Sequence, residues 1–106
     1  MAWYPAAKLG DVRTGDVIAV TVGGVEMVLG RDGDRHFATQ RRCPHRKNDL
    51  ADGIVARGHL ICPLHGFRFD TETGRHDVAS EYCLVTYAVR VTGEQIEIDP
   101  TPRNPT

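Results

Sequence analysis

The chain has 106 residues, enough for one hydrophobic core, and with 41% hydrophobic and 25% charged residues it lies outside the disordered and collagen-like classes. Thirteen basic and 14 acidic side chains leave a net charge of −1, so no overall field draws the chain to nucleic acid or anionic lipid. No apolar run approaches the roughly 18 residues of a membrane span, and Met1-Ala2-Trp3-Tyr4-Pro5 lacks the basic start and apolar stretch of a secretory signal. The expectation is a cytoplasmic protein with neither a nucleic-acid nor a membrane partner.

Taken in chain order, Trp3 and Tyr4 are expected as core residues of a first edge strand, and Ala6 to Leu9 has room for one helical turn and no more. Asp16 to Val22 predicts a strand, Gly23-Gly24 a hairpin turn, and Val25 to Leu29 the returning strand. Asp32-Gly33-Asp34 turns the chain into a third strand, Arg35 to Gln40. A polar, strandless stretch from Arg41 to about Asp52 follows. Ile54-Val55-Ala56 and His59-Leu60-Ile61 then flank a turn at Arg57-Gly58. After a second short polar stretch, Cys62 to Gly66, Phe67-Arg68-Phe69 leads into a turn over Thr71-Glu72-Thr73-Gly74. Leu84 to Val91 alternates, with Val85, Tyr87, Val89 and Val91 on one face, and Thr92-Gly93-Glu94 turns it into Gln95 to Asp99.

No segment holds a helical period. Many short strands at close spacing predict an all-β, antiparallel sandwich or small barrel. One domain, 1–106, is expected, with the tail 100–106 (Pro100, Pro102 and Pro105) extended or frayed. Binding chemistry on such a scaffold sits in the loops.

Three cysteines cannot close a disulfide framework. Cys43 and Cys62 each have a histidine within three residues and Cys83 has none, so the first two read as metal donors and Cys83 as a small buried hydrophobe at the start of a strand. The pattern is Cys43-Pro44-His45, sixteen residues, then Cys62-Pro63-Leu64-His65. Each loop offers one thiolate and one imidazole, the supply needed by a [2Fe–2S] cluster with two cysteines on one iron and two histidines on the other. The proline beside each cysteine restricts the backbone there. The same four donors also satisfy a tetrahedral zinc site in an interaction module, although zinc modules more often place cysteine with cysteine and histidine with histidine.

Cys-x-His, a spacer near sixteen residues, and Cys-x-x-His-Gly closely resembles the Rieske motif. The similarity extends over Leu50-Ala51-Asp52-Gly53, Gly66-Phe67-Arg68-Phe69-Asp70 and Leu84-Val85-Thr86-Tyr87-Ala88-Val89-Arg90-Val91, from about Asp16 to Ile98. The resemblance implies the Rieske fold, stacked antiparallel sheets with one [2Fe–2S] cluster mounted at a tip, in a cluster-binding subdomain of about 41–80 formed by two loops. It implies Cys43, His45, Cys62 and His65 as the ligands. It also implies a soluble one-electron carrier rather than an enzyme, since no second domain is present to house a mononuclear iron. Asn48 and Leu64 stand where respiratory members have a disulfide, and Phe67 where they have a serine. The reduction potential is therefore expected at the low end of the range, roughly −150 mV.

Arg41, Arg42, Arg46 and Lys47 put four basic residues in seven positions of the first loop, either a solvated loop or a patch that steers an acidic partner. Between His76 and Cys83 no proline appears, and Tyr82 is a candidate to build the cover that family members make with a proline-rich loop. His36, His59 and His76 are expected at the surface or on strands. The resemblance implies two sets of partners. One is a flavin-dependent reductase and a terminal oxygenase of an aromatic ring-hydroxylating dioxygenase system. The other is the large subunit of an assimilatory nitrite reductase.

Overall fold

The computed structural model describes residues 2–44, 48–63, 66–76 and 82–103. Six strands make the larger sheet: β1 (Tyr4–Lys8), β2 (Val17–Val22), β3 (Val25–Asp32), β4 (Arg35–Gln40), β8 (Thr86–Thr92) and β9 (Gln95–Pro102). Their spatial order is β1-β9-β8-β4-β3-β2, with every neighbouring pair antiparallel. The outer strands β1 and β2 approach each other, so the sheet is nearly closed. A second sheet stacks β5 (Ile54–Ala56), β6 (His59–Ile61) and β7 (Arg68–Asp70) in chain order. Two short 3-10 turns, Leu9–Asp11 and Leu50–Asp52, are the helical elements among the described residues.

The hairpins form where the expected punctuation falls. Gly23 and Gly24 have φ of +56° and +80°, the left-handed pair that a two-residue hairpin of matching twist requires. The β5–β6 turn uses the same geometry with Arg57 at φ +52° before Gly58, a conformation that costs a side-chain-bearing residue about 1 kcal/mol.

β3 explains how two cores share one sheet. Met27 and Leu29 point into the barrel interior with Val12, Val22, Ala38, Tyr87, Ile96 and Ile98. Val28 points the opposite way, to a second core with Phe37, Leu50, Val55, Leu60, Phe69 and Leu84. A strand covered on both faces needs an unbroken apolar run, which Met27-Val28-Leu29 supplies. The second core lies between the sheets, and it contains Cys43 and Cys62. At its edge Phe37 lies over its cross-strand partner Gly30. A methyl group there would come within 2.3 Å of the ring.

Four expectations are corrected. Ala6 to Lys8 is strand, not helical turn, because β1 finds β9 as its partner (Tyr4↔Ile98, Lys8↔Gln95), and the turn begins only at Leu9. Tyr4 is 41% exposed and Trp3 half-buried under the Arg90 guanidinium, 4.5 Å from its ring, so the interior beneath β1 is filled by Ala6, Ala7 and Leu9 instead. The face shared by Val85, Tyr87 and Val89 ends before Val91, which is 44% exposed where β8 outruns the core. Cys83 is half-buried and precedes β8, bridging to Arg75 rather than opening the strand.

Candidate metal centre

The first donor loop leaves the end of β4 and is closed at its root by paired backbone bonds. Arg42 bridges to Asp49, the Leu50 amide donates to the Arg41 carbonyl at 2.8 Å, and the Cys43 amide donates to the Asn48 carbonyl at 2.9 Å. Gln40 holds the exit, its amide group donating to the Arg42 carbonyl (2.6 Å) and its side-chain oxygen accepting from the Val85 amide (2.8 Å). The second loop joins β6 to β7, and the Cys62 amide donates to the Phe67 carbonyl at 2.8 Å. Each cysteine thus sits where its loop begins, its backbone held across the loop mouth.

A salt bridge braces the first loop. Arg41 donates to both Asp49 oxygens, with Nη2 to Oδ2 at 2.8 Å, and through Nη1 to Glu26 of β3 at 2.9 Å. Asp49 also caps the Leu50–Asp52 turn by accepting from the Ala51 amide at 2.9 Å. The Arg41 bonds, helped by the Ala51 amide, hold the Asp49 carboxyl below the usual carboxylate range, and Asp49 in turn raises the Arg41 guanidinium. Arg41 is therefore committed to two carboxylates and adds little to a basic patch. Arg42 is exposed.

The turn that follows explains Gly53. A methyl group on it would meet the Ile61 carbonyl oxygen at 2.4 Å and the Leu50 carbonyl oxygen at 3.1 Å, so the end of the first loop lies directly on the strand that delivers Cys62.

Cys43 is fully buried, Cys62 is 1% exposed, and both are thiols rather than disulfides. Two thiols from separate loops in one apolar core are suited to soft metal coordination. Asn48 links the loops: its carbonyl takes the Cys43 amide, and its Nδ2 lies 3.9 Å from the Cys62 Sγ, pointing as a donor. His45 and His65 lie outside the described residues, as do Arg46, Lys47, Leu64 and 77–81.

The other histidines are separate from the cysteine pair, and among the described residues no three metal-ligating side chains gather. His36, on β4, is half-buried, and its buried Nε2 has no hydrogen-bond partner among the described residues. His59 has its Nδ1 3.1 Å from the Arg57 carbonyl. His76 is half-buried and bridges to Phe69. Its ring meets Phe67 edge-on at 4.5 Å between centroids and Phe69 at 5.4 Å, and Tyr82 packs 5.8 Å from Phe67. These rings form an aromatic wall beside the second loop. The Phe69–His76 bridge and the Asp70 amide, which donates to the Arg75 carbonyl at 2.8 Å, tie that wall to β7.

The sequence places Arg41 in a basic patch, Asn48 at the position of a disulfide and Tyr82 in a cover, but does not mark Arg41 as a brace, Asn48 as a donor or His76 and Phe67 as partners of Tyr82. Asp49 directly before Leu50-Ala51-Asp52 is a capping signal that could have marked the turn; nothing local signals the Asn48–Cys62 contact.

The described scaffold is a nearly closed antiparallel barrel with a small sheet beside it, and the two buried cysteines lie at the mouths of loops that leave one sheet each. In sequence, the Rieske [2Fe-2S] domain matches residues 2–88, and the chain belongs to that family. Its cofactor is one Rieske-type [2Fe–2S] cluster rather than zinc. The chain is 36% identical over 98 residues to the ferredoxin component of the naphthalene 1,2-dioxygenase system of Pseudomonas aeruginosa, covering 92% of this chain and 94% of that one. It superposes on the ferredoxin of carbazole 1,9a-dioxygenase from Nocardioides aromaticivorans IC177 with a TM-score of 0.86 and 30% identity, over 95% of this chain and all of the other. A protein described as a nitrite reductase NADPH small subunit shares the fold (TM-score 0.85), at 22% identity and over 93% of this chain and 99% of that one. The dioxygenase relatives are electron-carrying components rather than enzymes. No helix among the described residues is long and apolar enough to cross a membrane.

Proposed function

We propose that the whole chain, 1–106, is one ferredoxin domain whose cluster-binding subdomain spans about 41–80, with Cys43, His45, Cys62 and His65 as the four ligands. In this reading it relays single electrons in the cytoplasm, from a flavin-dependent reductase to the terminal oxygenase of an aromatic ring-hydroxylating dioxygenase system. The observation that carries the reading is the near end-to-end likeness, at 36% identity, to a dioxygenase ferredoxin component.

When bound, the cluster accepts and releases one electron. Cys43 and Cys62 would supply thiolates from a buried core, which limits solvent access to the sulfurs. His45 and His65 supply neutral imidazoles. Two imidazoles in place of two thiolates make the site less negative by two charges, so it takes up an electron more readily than an all-cysteine site.

Two measurements test this. Dithionite reduction of the purified protein should give a rhombic electron paramagnetic resonance signal with average g below that of an all-cysteine [2Fe–2S] centre, and His45→Cys or His65→Cys should abolish that signature. Mixed with a dioxygenase reductase and oxygenase, the protein should support product formation that stops when it is left out. Stable co-purification with a large sirohaem protein, and no turnover with any oxygenase, would replace the ferredoxin assignment with a nitrite reductase subunit.

A further inference from the structure

We propose that Asn48 tunes the reduction potential by donating a side-chain hydrogen bond to the sulfur of Cys62. The inference rests on the reading of Cys62 as a cluster ligand.

Three observations converge on it. Nδ2 of Asn48 lies 3.9 Å from the Cys62 Sγ, within the range of an N–H···S bond. The contact crosses between loops, fourteen residues apart in sequence, so it is not a by-product of local chain geometry. The Asn48 backbone is held in place independently, its carbonyl accepting from the Cys43 amide at 2.9 Å while the next residue, Asp49, is clamped by Arg41. The side chain is thus aimed at one ligand sulfur by a backbone fastened to the loop of the other.

The chemistry follows from charge. Reduction adds one negative charge, part of which resides on the coordinating sulfurs. An amide N–H directed at such a sulfur stabilises the reduced form more than the oxidised form. Cys62 is 1% exposed, so little water is available to replace the donor, and the low local dielectric strengthens its effect. Asn48 is therefore a positioning and tuning residue, and it takes no part in electron transfer itself.

The test is the midpoint potential of the cluster-loaded protein, with the reduced paramagnetic spectrum recorded on every sample. Asn48→Leu keeps the branched outline of the side chain and removes the donor. It should make reduction about tenfold less favourable, the worth of one buried hydrogen bond, a fall of about 59 mV for one electron. Asn48→Asp should fall further, because a carboxylate beside the sulfur adds repulsion. Asn48→Ala serves if leucine prevents cluster assembly. Retained signals with unchanged potentials overturn the proposal. Failure of both the leucine and alanine variants to assemble a cluster also overturns it, since Asn48 would then be a folding residue. A wild-type spectrum whose average g matches an all-cysteine [2Fe–2S] centre is a different failure, because it removes the ligand reading itself.

Discussion

The guanidinium of Arg41 grips the carboxylate of Asp49 with two nitrogens, at 3.2 and 2.8 Å, across the root of the loop that bears Cys43. With Glu26 as a third partner, the pair anchors this loop to the larger sheet. Asp49→Ala removes both the clamp and the cap on the Leu50–Asp52 turn, and loss of such a cap alone costs about 1 kcal/mol. Arg41→Lys supplies a single donor point and cannot bridge the two carboxylates as a planar fork does. Both variants should lower the thermal midpoint and speed loss of iron to a chelator, alanine more than lysine. Asp49 also sets an acid limit: its carboxyl is depressed in the folded state, so its contribution is full above about pH 4 and is lost as pH falls through the folded value. Chelation rates indistinguishable from wild type in both variants would contradict this role.

Gly53 is required by space, not by backbone conformation, since its φ of −82° suits any residue. Gly53→Ala would drive a methyl group against the Ile61 carbonyl oxygen, and a backbone atom in a paired strand cannot step aside cheaply. The expected cost is about 1–3 kcal/mol, together with reduced cluster occupancy, because the strand displaced leads directly to Cys62. Visible absorbance per protein and a denaturation midpoint measure both effects. Full occupancy with unchanged stability would show that the two loops can separate freely.

His36 should make stability pH-dependent nearer neutrality. Burial lowers its pKa, Arg31 adds to the effect, and Asp34 opposes it. The folded state therefore binds a proton less readily than the unfolded chain, whose histidine titrates near about 6.5. Its contribution is full above about pH 6.5 and shrinks as pH drops toward the folded value. Urea midpoints at pH 7.5 and 5.5 should fall more steeply for wild type than for His36→Gln, with other titrating groups cancelling in the comparison. Parallel losses in the two proteins would exclude His36 as the source.

The three cysteines should separate cleanly. Cys83 is half-buried, with its thiol directed to the Thr73 and Leu84 carbonyls at 3.8 and 3.7 Å, outside the core that holds Cys43 and Cys62. Cys83→Ser should retain the full visible spectrum and potential. Cys43→Ser and Cys62→Ser should each lose most of the iron, because a hard alkoxide is a poor substitute for a soft thiolate. Iron and sulfide content of the purified variants decides the matter, and a colourless Cys83→Ser protein would reopen the ligand set.

The sequence by itself determined the hairpins and the cofactor. Gly23-Gly24 and Arg57-Gly58 are local instructions: the left-handed geometry they accept fixes a turn and the register of its flanking strands, so β2–β3 and β5–β6 were legible from neighbours alone. The Cys-x-His and Cys-x-x-His-Gly segments were legible for a similar reason, since soft-metal chemistry admits few residue types. Tertiary structure alone decided that Ala6 to Lys8 pairs with β9, that β4 lies beside β8, and that Arg41 spends its charge on Asp49 and Glu26. It also decided that His76 joins Phe67 in a wall and that Asn48 reaches Cys62. Each of these depends on chain segments that periodicity cannot relate. A strand's partner, a salt bridge's second charge and a donor's sulfur are chosen by which surfaces meet when two cores close around one sheet, and no local pattern records that meeting.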